Sequence, residues 1–163
     1  MTFELKAGAR PTGKAQLYGE LREQAQALLE GERDAVANAA NLVSLIWHTL
    51  PDLNWCGFYF LKGGELVLGP FQGKPACVRI AMGKGVCGTA AQKRAPVIVP
   101  DVDKFPGHIV CDSASRSEIV VPLLRGGVLL GVLDLDSPNV ERFDDADRTE
   151  LEKLAAIWVK QSD

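Results

Sequence analysis

The stretch GHIVCDSASRSEIVVP, residues 107–122, sets Cys111 among Asp and Ser just ahead of a strongly β-prone run. Inert structural cysteines are normally surrounded by apolar side chains. A thiol at the polar mouth of a strand, with His108 and Glu118 close in sequence, is instead a candidate for reaction. Cys77 and Cys87 belong to the same question, Cys87 lying ten residues after Cys77 and twenty-four before Cys111. The glycines of GKGVCG favour a tight backbone turn whose N–H groups face a pocket. A thiol at the start of the helix that follows would tend toward thiolate, because a helix N-terminus favours negative charge.

The run VLLGVLDLD adds carboxyls. Alternation puts Val132, Asp134 and Asp136 on one face and Leu133 and Leu135 on the other. Two readings follow. Either the strand end emerges into water with an Asp-Ser-Pro turn, or the two acids line a cleft and one, with a raised pKa, serves as a proton donor. In NWCGFYF, Trp55, Gly57 and Tyr59 share a face opposite Cys56, Phe58 and Phe60. The second set reads as core, with Cys56 packing as a small hydrophobe. The first reads as core or as an aromatic wall that a ligand can approach.

Several chemistries compete for these side chains. Cys77, Cys87, His108 and Cys111 are zinc-binding types, but no C-x-x-C knuckle is present. A Cys-His hydrolase would pair Cys111 with His48, expected on the interior of a helix, or with His108; neither has a clear orienting acid. GKGVCG with Asp103 matches a dinucleotide fingerprint but lacks the βαβ unit it requires. A disulfide framework is unnecessary in a chain with this much core. Thiol redox chemistry remains.

The elements that must position these residues change period along the chain. Leu17, Leu21, Ala25 and Leu28 give a helix over residues 14–30, stopped by Gly31. A second helix over 32–49 carries Val36, Ala39, Ala40, Val43, Ile46 and Trp47 as its apolar stripe, and Pro51 closes it. NWCGFYFLKGGELVLGPF reads as two strands around Gly63-Gly64, and ACVRIAM as another. GKGVCGTAAQKR is a loop leading into a short helix, APVIVPDV a short strand, and residues 104–117 a long polar loop. EIVVPLLRGGVLLGVLDLD is a hairpin turning at Gly126-Gly127. Residues 144–161 form the closing helix, capped by Asp144 or Asp145, with Leu151, Leu154, Ile157 and Trp158 inward. Hairpins with helices around them predict an α+β domain with a central, mainly antiparallel sheet. It spans residues 1–163, with 1–14 irregular.

At 163 residues and 47% hydrophobic the chain suits one domain with a proper core. A net charge of -3 offers no footprint for nucleic acid or anionic membrane. MTFELKAGARPTGK has no apolar stretch behind its charges, so no secretory signal is expected and a cytoplasmic location is. IVVPLLRGGVLLGVL is broken by Pro122, Arg125 and a Gly pair, as a hairpin and not a membrane span.

Taken together, NWCGFYF, LGPFQGKPACVRIAMGKGVCGTAA, VIVPDVDKFPGHIVCDSASRSEIVVPL and GVLDLDSP closely resemble the free methionine-(R)-sulfoxide reductases, which are single-domain GAF proteins. The resemblance runs from about Ala15 to the end and includes three cysteines in order and spacing. It implies a GAF fold, with Cys111 as nucleophile, Cys77 as the cysteine that resolves it, and Cys87 as auxiliary or alternative. It maps a substrate pocket onto Trp55, Tyr59, Glu118, Asp134 and Asp136. A sulfoxide sulfur is a poor electrophile until its oxygen is protonated, a role that falls to Glu118 and Asp136, with Asp134 holding them or the substrate's ammonium. Trp55 is expected against the S-methyl group, a contact worth about 0.3–1.5 kcal/mol. The sulfenic acid left on Cys111 would close to a disulfide, reduced by an external dithiol such as thioredoxin. No metal or bound cofactor is implied, and a homodimer is expected. The rival class is a GAF module that senses a small molecule without catalysis; a structural zinc protein is a third.

Overall fold

The computed structural model describes residues 2–5 and 13–163. The irregular segment expected over 1–14 lies mostly outside them. Helices α1 (Lys14–Leu29) and α2 (Ala35–Thr49) come first, followed by the hairpin β1 (Trp55–Lys62) and β2 (Glu65–Gly73). Next are β3 (Arg79–Ala81), α3 (Gly85–Lys93), β4 (Val97–Val99) and a single 3-10 turn (Val102–Lys104). The hairpin β5 (Ser117–Arg125) and β6 (Val128–Ser137) leads into α4 (Asp145–Gln161). The strands form one sheet in the order β3-β2-β1-β6-β5-β4, antiparallel at every pairing.

Period-two alternation divides the molecule into two packed layers. Cys56, Phe58, Ile119, Val121, Leu133 and Leu135 point to one face, where α1, α2 and α4 cover them with Leu21, Leu42, Ile46, Leu151 and Trp158. Trp55, Tyr59, Val120 and Val132 point to the other face and meet Val86, Cys87, Ala90 and Ala91 of α3. A strand two-sided in this way needs apolar residues at nearly every position, which is why β1 and β5 are buried along most of their length.

Local signals account for the ends. Asp34 caps α2, its side chain accepting from the Ala37 N–H, so that helix begins three residues later than the pattern implied. Asp144 and Asp147 form a capping box on α4. The second helix turns differently from expectation: Val36 is 56% exposed and Ala40 lies outside, while Leu42 and Leu45 take the core positions. Residues 76–78 are not strand; β3 is confined to three residues because Pro75 and the Cys77 loop interrupt the pairing. Asp147, fully buried, accepts from Tyr18 Oη at 2.7 Å and pairs with Lys14 at 2.5 Å and Arg142 at 3.3 Å, tying α1 to α4. Among the described residues, no helix is long and apolar enough to cross a membrane.

Candidate active site

Register brings the acids together. On β1, β6 and β5, Trp55 lies opposite Asp136, and Asp136 opposite Glu118. Residues directly opposite in an antiparallel pair point to the same side. One row across three strands therefore carries an indole and two carboxyls. The next row holds Gly57, Asp134 and Val120. A side chain on Gly57 would place its Cβ 2.5 Å from Phe71 Cβ and from the Trp55 ring. Glycine there lets the indole lie across the strand, stacked on Tyr59 and Phe71 with centroids 5.9 and 5.4 Å away. Trp55 Nε1 donates to the Lys74 carbonyl at 3.1 Å, and Tyr59 Oη to the Cys77 carbonyl at 2.8 Å. The aromatic wall thus also holds the segment that carries Cys77.

Cys77 and Cys111 form a disulfide, with Cα atoms 5.9 Å apart. Cys111 is exposed and Cys77 half-buried. The loop bearing Cys111 is pinned at the next residue. Asp112 accepts from Asn54 Nδ2 at 3.2 Å and from the Ala114 N–H at 2.9 Å, and lies 3.7 Å from Lys74 Nζ. The Ala114 N–H foremost, with help from Asn54 and Lys74, holds the Asp112 carboxyl below its usual pKa. His108, on the same loop, approaches Glu118 Oε2 with Nε2 at 3.4 Å.

Burial dominates the electrostatics inside. Glu118 and Asp134 are each 6% exposed, and burial first, then a neighbouring carboxylate, pushes both well above the carboxylate range. Asp136 is raised for the same reasons, Asp134 being the neighbour. Burial also lowers His108, against the opposing pull of Asp103. In the His108–Glu118 contact burial therefore works against the charged form of both partners. Buried Oδ1 atoms of Asp134 and Asp136 have no hydrogen-bond partner among the described residues. Two acids with acceptor capacity left over are arranged for a donor from outside the chain.

The structure corrects the expectation for Cys87. Its thiol does stand in the first turn of α3, but it is 4% exposed and donates to Asp134 Oδ2 at 3.3 Å. Burial, then the charges of Asp134 and Glu118, push the thiol well up, away from thiolate. Desolvation outweighs the helix end. The zinc grouping of Cys77, Cys87, His108 and Cys111 is replaced by the disulfide. A different set, Cys87, Glu118 and Asp134, places donor atoms within 4.8 Å of one another. An ion there would have to displace protons that burial favours. His48 is exposed on α2, with Nδ1 2.8 Å from the Ser44 carbonyl, so it is no partner for Cys111.

One cavity is lined by Trp55, Tyr59, Cys87, His108, Cys111, Glu118, Asp134 and Asp136, with Cys77 outside the lining but bonded to Cys111; His48, Cys56 and Asp103 are not part of it. Sequence reasoning passed over Ser115, which bonds Asp136, and Asn54, which donates to Ser115 Oγ at 2.9 Å. Their only signal was position, one just before β1 and the other just before β5.

The GAF-domain family profile matches residues 33–157. The Escherichia coli K12 protein named free methionine-R-sulfoxide reductase is 48% identical over 143 residues, 88% of this chain and 87% of that one. The Saccharomyces cerevisiae protein of the same name is 47% identical over 152 residues, 88% and 84%. The solved structure of free methionine-R-sulfoxide reductase from Neisseria meningitidis in complex with its substrate is 46% identical. It superposes with a TM-score of 0.90 over 93% of this chain and 91% of that one.

Proposed function

Because the chain belongs to the GAF-domain family, among its free methionine-(R)-sulfoxide reductases, we propose that Cys111 attacks the sulfoxide sulfur of free methionine-(R)-sulfoxide beneath an acid pair formed by Glu118 and Asp136. The observation that carries this reading is the Cys77–Cys111 disulfide bonded across the mouth of a cavity lined by Glu118, Asp134 and Asp136.

The division of labour follows from the geometry. Glu118 and Asp136, whose protonated forms burial favours, donate a proton to the sulfoxide oxygen, help of a kind worth roughly 10²–10⁴-fold. The Cys111 thiolate attacks the sulfoxide sulfur, the protonated oxygen passes from that sulfur to Cys111 as its bond to methionine breaks, and methionine leaves with the electron pair of that bond, so that Cys111 carries a sulfenic hydroxyl. Cys77 then attacks Cys111, releasing that oxygen as water and closing the disulfide. An external dithiol, thioredoxin in our reading, returns two electrons. Cys87, protonated and bonded to Asp134, serves as an alternative resolving thiol and otherwise as a donor that orients that acid. The unpartnered Oδ1 atom of Asp134 suits the ammonium of a free amino acid. A peptide-bound residue has no such charge and would leave it unpaired.

We read the whole chain as one GAF domain, cytoplasmic, with a second copy as partner. Exposed Phe3, Leu5 and Val36 support a homodimer through the N-terminal helical side. Free Cys56 and Cys87 beside a disulfide that must be reduced suit a reducing compartment. No prosthetic group or metal is needed by the chemistry.

The test is a diastereomer-resolved turnover assay with dithiothreitol. Wild type should consume the free (R)-sulfoxide and spare the (S)-form; Cys111→Ser should make no methionine; Cys77→Ser should make about one equivalent and then stall. A sensing module would leave both diastereomers untouched, and multiple turnover by Cys111→Ser would remove the nucleophile assignment.

A further inference from the structure

Val78 and Val110 each adjoin one cysteine of the disulfide, and they are 61% and 67% exposed. Single exposed valines are ordinary. These two straddle a bond that another molecule has to reach. Charges beside them are already paired: Lys74 with Asp112 at 3.7 Å, Arg79 with Glu65 at 2.6 Å. Pro75, Ala76 and Ile109 line the adjoining cavity wall alongside Lys84 and His108, so the rim is mostly apolar. Ile109 leans over the first residue of α3 and belongs to the pocket wall, leaving Val78 and Val110 as the outward-facing members.

We propose that Val78 and Val110 are the docking surface for a protein dithiol whose thiolate attacks the Cys111 sulfur. This rests on the reading above, in which the disulfide is a turnover intermediate that must be reduced. The occupant follows from the chemistry at the centre of the patch. A protein thiolate has to bring its own surroundings against this mostly apolar rim to reach bonding distance, whereas a small dithiol does not. The sulfur attacked follows from exposure. Cys111 is open to solvent, while Cys77 is half-buried with its carbonyl held by Tyr59 Oη.

The step balances. The partner's first thiolate bonds to Cys111 Sγ, the disulfide breaks, and its electron pair leaves with Cys77, which takes up a proton. The partner's second thiol then attacks the first, expelling Cys111 as thiolate and leaving the partner oxidised. Two electrons and one proton have passed from the partner to the enzyme, the proton of its second thiol being the equivalent of the one taken up by Cys77.

Val78→Asp, Val110→Asp and the double variant are to be assayed with thioredoxin, kept reduced by its reductase and NADPH, and separately with dithiothreitol. In the double variant kcat/KM for thioredoxin should fall about tenfold or more, as for loss of anchoring apolar contacts. Dithiothreitol-supported turnover should stay within about twofold of wild type. A thioredoxin whose second active-site cysteine is changed to serine should be trapped on Cys111 by mass spectrometry. Unchanged thioredoxin kinetics, equal losses with both reductants, or an adduct on Cys77 would overturn the proposal. So would a double variant that loses self-association in sedimentation while keeping its thioredoxin kinetics, since the patch would then join two copies of this chain. Wild type unable to turn over with dithiothreitol would fail the underlying reading separately.

Discussion

Glu118 shows at the level of one side chain how burial is turned into chemistry. A carboxyl in water is ionised at pH 7 and cannot donate; burial first, and then the neighbouring Asp136, strengthen the hold of Glu118 on its proton. Glu118→Gln should lower kcat by roughly 10²–10⁴-fold with KM little changed, measured in single turnovers so that reductant does not limit. In wild type the single-turnover rate should rise with pH as Cys111 ionises and fall again as pH passes through the raised carboxyl pKa values, and Glu118→Gln should change the falling limb. Stability follows the sign of that falling limb. The folded state binds this proton more tightly than the unfolded chain, so the contribution is full below the unfolded carboxyl pKa and is lost as pH rises through the folded one. Glu118→Gln and Asp136→Asn, which need no proton, should therefore melt higher than wild type at pH 8 and lose that advantage toward pH 4. A melting temperature lower than wild type at pH 8 would mean that the acids are held ionised. Cys87 makes the converse point, because a helix N-terminus that would favour thiolate in the open does not overcome burial beside two carboxyls.

Among the elements, the register between β1, β6 and β5 is what gathers the site. Trp55, Asp136 and Glu118 come from three strands, and a slip of one residue in either pairing would turn an acid into the opposite layer among Phe58 and Leu133. Alternation within one strand made the Asp134/Asp136 face legible in the sequence, and with it the Trp55/Tyr59 face. Pairing between strands is not written in any one of them, so the alignment with Glu118 came from the family resemblance alone. Gly57 is the element-level device that leaves room for the indole. Gly57→Val should displace Trp55 or Phe71, raise KM about tenfold or more, and cost about 1–3 kcal/mol in urea unfolding as an overpacked site. Unchanged KM would show that the Trp55 ring position is unimportant to binding. Element boundaries were read less well where local and tertiary signals disagree. Asp34 delays α2 by capping it, and the stripe through Val36 and Ala40 yields to Leu42 and Leu45 because the core lies to one side of the expected face.

For the whole molecule, two layers share one sheet but have different covalent histories. The helical layer of α1, α2 and α4 lies outside the segment between Cys77 and Cys111, while β3, α3 and β4 lie inside it. The disulfide, with a sequence separation of 34, therefore closes a loop around the entire cover of the reactive face. Chain-entropy arguments put such a closure at about 3–5 kcal/mol. With it in place Cys111 is tied to Cys77 at the wall of the cavity and its sulfur is not free to attack, so methionine sulfoxide is expected to react with the form in which that restraint has been released. Dithiothreitol should accordingly lower the urea-unfolding free energy of wild type by about 3–5 kcal/mol, with no further loss in Cys77→Ser. The change should be unevenly distributed. Amide exchange should speed up across residues 78–110 on reduction while the buried turns of α2 and α4 retain their protection, because their contacts with β1, β5 and β6 do not pass through the bonded segment. If protection fell equally in both layers, the disulfide would be acting on global unfolding alone, and substrate entry would require an opening other than release of this cover.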